Sequence, residues 1–251
     1  MMRLFDTHCH FQSADPVLIS EKLQRARAAG VERILAVGGS PDLNEAAITA
    51  MQVAEGVYDM PDVLCALGYD RDQTGKPRQP VPECAMSAWG EIGLDYHYSA
   101  DTRTEQIALF EEQLDEARRR GLPVVVHSRE AEDDTFSILR ASGARGVVHC
   151  FTGTPGFAER LLGLGFFISI AGVVTFRSAG YVRDAALVVP DDRLLIETDS
   201  PYLAPEPMRG GENEPAYIVH TCDFLAKLRG VASEELAERT FLNAMALFSP
   251  A

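Results

Sequence analysis

Two histidines separated by one residue close the first apolar run of the chain, in Asp6-Thr7-His8-Cys9-His10. Strand side chains alternate, so His8 and His10 project to one side and Cys9 to the other. Two imidazoles placed this way can grip one metal ion. His127 closes a later apolar run and His149 lies near the end of the next. Two carboxylates finish further runs: Glu91 within Trp89-Gly90-Glu91-Ile92-Gly93-Leu94-Asp95, and Asp199 within Ile196-Glu197-Thr198-Asp199-Ser200-Pro201. Asp199 would give the His8–His10 ion an oxygen ligand. Glu91 could bridge to a second ion held by His127 and His149. A mixed nitrogen and oxygen set with open positions suits Zn, Mn, Mg or Co, and catalysis rather than structural closure.

These residues need a scaffold that brings the ends of several strands together. Apolar runs fall at residues 4–10, 34–38, 64–69, 88–94, 123–128, 146–151, 166–170 and 194–198, with starts roughly 27 residues apart. Val, Ile, Leu and Phe dominate several of them, as in strands buried on both faces. Helical patterns occupy the intervals, for example residues 17–29 before Gly30, 104–120 before Gly121, and 233–246. Between the third and fourth runs, Pro77, Pro80 and Pro82 predict a loop with a short helix. Strand then helix, eight times in this length, predicts an α/β fold of the (β/α)8 TIM-barrel type, as a single domain over residues 1–251. A doubly wound open sheet uses the same units, but no glycine-rich phosphate fingerprint follows the first strand. In a barrel, all the strand ends named above meet on one face.

Composition narrows the function. The chain has 251 residues, 23 Lys and Arg against 37 Asp and Glu, and a net charge of −14. That balance argues against a basic groove holding a polyanion by charge alone. It leaves room for a site whose positive charge comes from bound metal. Cys9, Cys65, Cys84, Cys150 and Cys222 show no CxxC spacing and read as free thiols. No apolar run reaches the ~20 residues of a membrane helix. The opening residues lack the apolar core of a signal peptide. The expectation is a cytoplasmic protein with no membrane association and no stable protein partner.

The ordered motifs resemble the TatD family of metal-dependent hydrolases, within the amidohydrolase-like barrel superfamily, nearly end to end. The similarity rests on Asp6-Thr7-His8-Cys9-His10, Gly90-Glu91-Ile92-Gly93-Leu94-Asp95-Tyr96, Val126-His127-Ser128-Arg129 and His149-Cys150-Phe151-Thr152-Gly153. It continues through residues 172–176, Glu197-Thr198-Asp199-Ser200-Pro201-Tyr202-Leu203, Arg209-Gly210 and Asn213-Glu214-Pro215. The resemblance implies two divalent ions held by His8, His10, Glu91, His127, His149 and Asp199. It also implies deoxyribonuclease activity at DNA ends through a metal-activated water, with Asp199 and Glu91 as the catalytic residues. Two cations can neutralise a phosphate and stabilise an in-line transition state. The alternatives are a metal-dependent amidohydrolase or esterase acting on a small C–N or C–O substrate, and a metal-binding scaffold without turnover.

Substrate contacts are expected from Arg129, Phe176, Arg209, Asn213, Asp70 and His97. Arg209 could pair with a phosphate oxygen or anchor its loop through Glu206, Glu212 or Glu214. Phe176 could stack on a base or pack a helix on the barrel. One segment departs from the family pattern. Where the family usually has Gly-Ile-His-Pro-His, this chain has Gly68-Tyr69-Asp70-Arg71-Asp72. Asp70 and Asp72 should repel a phosphodiester unless a cation offsets them, and Arg71 is at hand to do so.

Overall fold

The computed structural model describes residues 2–248; Met1 and residues 249–251, the ends of the expected domain, lie outside the described residues. Eight strands are present: β1 (Leu4–Cys9), β2 (Val31–Gly39), β3 (Asp62–Tyr69), β4 (Ala88–Asp95), β5 (Val124–Arg129), β6 (Gly146–Val148), β7 (Phe167–Ile170) and β8 (Leu194–Ile196). They pair in sequence order, every pair parallel. The ring is drawn together past the end of β8. Cys9 bridges Ser200 in parallel, Asp199 N–H donates to the His8 carbonyl (2.9 Å), and His10 N–H donates to the Ser200 carbonyl (2.8 Å). The result is a nearly closed TIM-type barrel.

Helices clothe it: α1 (Pro16–Ala28), α2 (Pro41–Ala54), α3 (Tyr96–Ser99), α4 (Arg103–Arg120), α5 (Glu132–Ser142), α6 (Pro155–Gly163), α7 (Gly180–Val188), α8 (Ile218–Arg229) and α9 (Ser233–Phe248). Three of them start in one way. Asp15, Ser40 and Thr154 each cap a free N–H of the first turn, and a proline follows at once, where its missing N–H costs nothing. α4 stops at Gly121, whose φ of +68° lets the chain reverse, with Arg118, Arg119 and Arg120 against the negative end of the dipole.

Two apolar layers result. Strand and helix faces share one, which includes Leu4, Ile34, Leu67, Ile92 and Phe110. The other fills the barrel: Phe5, Leu35, Val37, Val125, Val147 and Leu195 meet Phe241, Leu247 and Phe248 of α9. Helix α9 therefore plugs the end of the barrel away from the strand C-termini. Its rings lie 6.1 Å from that of Phe5.

After β3 the expected loop with a short helix is present: the chain makes a single 3-10 turn, Arg71–Gln73, and runs irregularly to β4. Asp70 starts that turn by accepting from Asp72 N–H (2.8 Å). Strands β6 and β8 are shorter than their apolar runs. Past Val148 and Ile196 the chain leaves the ladder to present His149, Glu197 and Asp199; Cys150 and Asp199 adopt positive φ (41° and 55°) there.

Gly93 lies opposite His127 in the β4–β5 ladder, with φ of +135°. A Cβ there would come within 2.0 Å of the His127 carbonyl oxygen. Gly93→Ala should therefore lower unfolding free energy by roughly 2–4 kcal/mol through strain and forced strand separation. Denaturant titration measures it, and an unchanged midpoint would contradict the argument.

Candidate metal centre

The six residues expected to ligate ions are brought together at the C-terminal mouth of the barrel. His8 Nε2 and His10 Nε2 approach to 3.0 Å. Glu91 Oε2 lies 3.6 and 3.3 Å from them, and Asp199 Oδ1 lies 3.9 and 4.0 Å away. The other oxygen of Glu91, Oε1, lies 3.2 Å from His127 Nδ1 and 3.4 Å from His149 Nε2. Glu91 thus stands between two histidine pairs. The register of β1 slips between Asp6 and Cys9, where His8 and His10 turn to the mouth and Cys9 joins the strand–helix core.

The donor chemistry fits divalent cations. A ligating imidazole uses one nitrogen, and its other nitrogen is held by an outer partner that fixes the tautomer. His10 Nδ1 is 2.8 Å from the Val37 carbonyl, so it donates there and its Nε2 faces Glu91. His149 Nδ1 meets Glu197 Oε1 (3.3 Å), and His127 Nε2 meets Asp95 Oδ2 (3.2 Å). In each case the nitrogen turned to the cluster faces Glu91, and a divalent cation there would take the place of its proton. His8 differs: its Nδ1 is buried with no partner. The groups His8–His10–Glu91 and Glu91–His127–His149 each bring three donor atoms close enough to share an ion.

The electrostatics follow from burial among these charges. Burial alone would raise the Glu91 carboxyl, but Arg71 foremost, then His149, His10 and His127, hold it well below the usual carboxylate range. Burial would lower His149, yet Glu91 and Glu197 push it up to about 10. Burial pushes His8 well down and raises Asp199 to about 6. Asp95, despite burial, is drawn to about 2 by His127 and the Tyr98 N–H.

The expected substrate contacts divide. Phe176 and Arg209 come together on the mouth side, with the guanidinium 3.6 Å from the ring centre. Glu212 pairs with Lys22 and Glu214 with Arg25, so neither anchors Arg209. Asp70 is buried, its carboxyl raised to about 7 by desolvation that Arg71 only partly offsets. Arg129 lies over the Tyr98 ring (4.7 Å), and His97 Nδ1 bonds Glu130 (2.6 Å) at the surface; neither contacts the histidine cluster. Asn213 is corrected. It is fully buried, and its amide donates to the carbonyls of Thr198 (2.9 Å) and Tyr202 (2.6 Å). Both its N–H groups are used in clamping the turn that carries Asp199, so it has none to offer a substrate.

Three residues that the sequence does not place at the centre stand out. Arg71 reaches into the centre, its Nη1 2.6 Å from Glu91 Oε1. Asp95 and Glu197 hold the outer nitrogens of His127 and His149. Period-two counting points to Asp95, which is four residues from Glu91 in β4; Glu197 lies past the end of β8, where alternation no longer applies.

Comparison with known proteins agrees with this geometry. The family model "TatD related DNase" matches residues 5–249. The chain belongs to the TatD family. It is 40% identical over 261 aligned positions to YcfH of Escherichia coli K12, named an uncharacterized metal-dependent hydrolase, covering 98% of this chain and 96% of that one. YabD of Bacillus subtilis, named likewise, is 36% identical with 98% of each covered. The crystal structure of the E. coli TatD homologue YjjV superposes with a TM-score of 0.87 at 30% identity, covering 99% of both chains. This TatD-family member is a metal-dependent hydrolase. Among the described residues no helix is long and apolar enough to cross a membrane.

Two stability effects follow. Asn213→Ala leaves the buried Thr198 carbonyl and the part-buried Tyr202 carbonyl without these donors and should cost roughly 1–3 kcal/mol; a loss below 0.5 kcal/mol in a denaturation series would remove the clamp role. Asp6 is wholly buried, accepting from Thr198 Oγ1 (2.6 Å) and Thr198 N–H (2.9 Å). Desolvation outweighs these donors and raises its carboxyl from 3.8 to about 8. The folded chain thus keeps a proton that the unfolded chain releases, so this contribution is full below pH ~4 and fades as pH rises towards 8. Asp6→Asn, neutral at every pH, should lack that slope. In chelator, wild-type Tm relative to the variant should fall from pH 4 to 8, and a constant difference would contradict it.

Proposed function

We propose that the protein is a divalent-metal-dependent phosphodiesterase that cleaves DNA at its ends. The observation that carries this reading is Glu91 between two histidine pairs, with Asp199 beside one of them, at the C-terminal ends of the barrel strands. His8, His10, Glu91 and Asp199 would hold one ion, and Glu91, His127 and His149 a second. Bound divalent cations supply Lewis acidity toward phosphate and a water of lowered pKa.

The chain's own residues do the rest. Asp199 Oδ1 is 3.9–4.0 Å from both His8 and His10. A carboxylate at that place can orient an attacking water and accept its proton. Asn213 fixes the turn on which Asp199 sits. Asp95, Glu197 and the Val37 carbonyl hold the imidazoles in orientation. The Phe176–Arg209 pair offers a ring face for a base and a guanidinium for a phosphate oxygen. A cation-lined mouth in a chain of charge −14 favours short or terminal substrates over long duplex. Five unpaired cysteines suit a reducing, cytoplasmic setting.

The test is cleavage of single-stranded oligonucleotides, labelled at either end, with Mg, Mn or Zn. Asp199→Ala should lower kcat by about 10²–10⁴ with smaller change in KM. Activity equal to that of the Glu91→Ala/Asp199→Ala double variant would reject nuclease function. Preferential turnover of lactones or cyclic amides in the same assay series would assign a carbonyl substrate instead.

A further inference from the structure

The two halves of the metal centre are chemically alike but electrostatically unequal. On the Oε2 side, Glu91 faces His8 and His10, with Asp199 beyond. On the Oε1 side it faces His127 and His149, and here Arg71 Nη1 also donates to the same oxygen at 2.6 Å.

Arg71 is built into this position. It opens the 3-10 turn, whose frame is tied down by Asp70 N–H to the Gly39 carbonyl (2.9 Å) and Gln73 N–H to the Asp70 carbonyl (3.0 Å). Its side chain is 18% exposed, and the same Nη1 lies 3.5 Å from Asp70 Oδ2. Asp72 is its outer neighbour, at 3.9 Å from Nη2. The guanidinium therefore bridges a buried aspartate to the carboxylate shared by both halves. It cannot shed its proton, because an arginine stays charged throughout the physiological range.

A fixed positive charge beside Oε1 has two effects. It occupies one acceptor direction of that oxygen, and it repels a second cation approaching the same atom. Oε2 and the His8–His10 pair lie on the other side of the carboxylate and feel it less. We propose that Arg71 makes the centre asymmetric: the His8–His10 half binds a divalent cation tightly, the His127–His149 half binds one weakly, and the guanidinium supplies standing positive charge there. This rests on the ligand assignment under Proposed function and adds an order of occupancy to it. It also gives Asp70 a purpose. That aspartate holds Arg71 against Glu91, so it acts as a positioning residue and not as a repulsive anion at the mouth.

Metal-stripped protein titrated with Mn²⁺ alone tests the inference, read by calorimetry and electron paramagnetic resonance. Wild-type chain should take one ion per chain in a tight phase and a second at least tenfold more weakly. At one equivalent the spectrum should be that of isolated Mn²⁺. Arg71→Met should bring the two affinities within about threefold and give spin-coupled pairs at two equivalents. Arg71→Gln serves if the Met variant does not fold, and Arg71→Lys, which keeps the charge, should retain the wild-type inequality. His10→Ala should abolish the tight phase and His127→Ala the weak one. Two equally tight ions in wild type, or an inequality unchanged in Arg71→Met and Arg71→Gln, would overturn the role of Arg71 and leave the ligand assignment standing. No uptake by wild type or variants would overturn both.

Discussion

The centre depends on keeping one carboxylate charged where water hardly reaches. Glu91 is almost wholly buried, and an isolated anion there would take up a proton. Four imidazoles and a guanidinium face it instead, from four stretches of chain: the end of β1, which gives both His8 and His10, the turn after β3, β5 and the end of β6. Removing any of them leaves the remaining charges less balanced. The same arrangement suits cations, because a divalent ion among these groups would take the place of the protons that the imidazoles share with Glu91.

Such crowding is tolerable only on a rigid frame. Parallel strands in sequence order bring the ends of β1, β4, β5 and β6 to one mouth, and an outer ring of acceptors fixes the imidazoles. Asp95 holds His127, Glu197 holds His149, and the Val37 carbonyl holds His10. Glu197 also accepts from the Cys150 N–H at 2.7 Å, which ties His149 to the backbone on its far side. The strained backbone at Cys150 and Asp199 falls where the chain leaves its strand to aim a side chain inward.

The fold and the six strand-end residues were readable because both obey simple periods. Apolar runs mark strands, and His8 with His10 share a face by alternation. What escaped was contact across distant elements. Asn213 looks like a loop polar group in the sequence, and only its complete burial shows that its amide is spent on Thr198 and Tyr202. Arg71 reads as a lone base between two acids, and its reach into the centre depends on the 3-10 turn that follows β3. His97 lies close in sequence to Asp95 yet turns away to Glu130, because Asp95 caps a short helix at that point and sends the chain outward. The ends of β6 and β8 were overrun because apolar periodicity continues past the last ladder bond.

The plug formed by α9 bears on how a polymer could be handled. Phe5, Phe241, Leu247 and Phe248 fill the lower barrel, so among the described residues the end opposite the mouth is closed by apolar side chains. Under the proposed function, the end of a strand would reach Glu91 from the mouth alone, on the side of the barrel opposite α9.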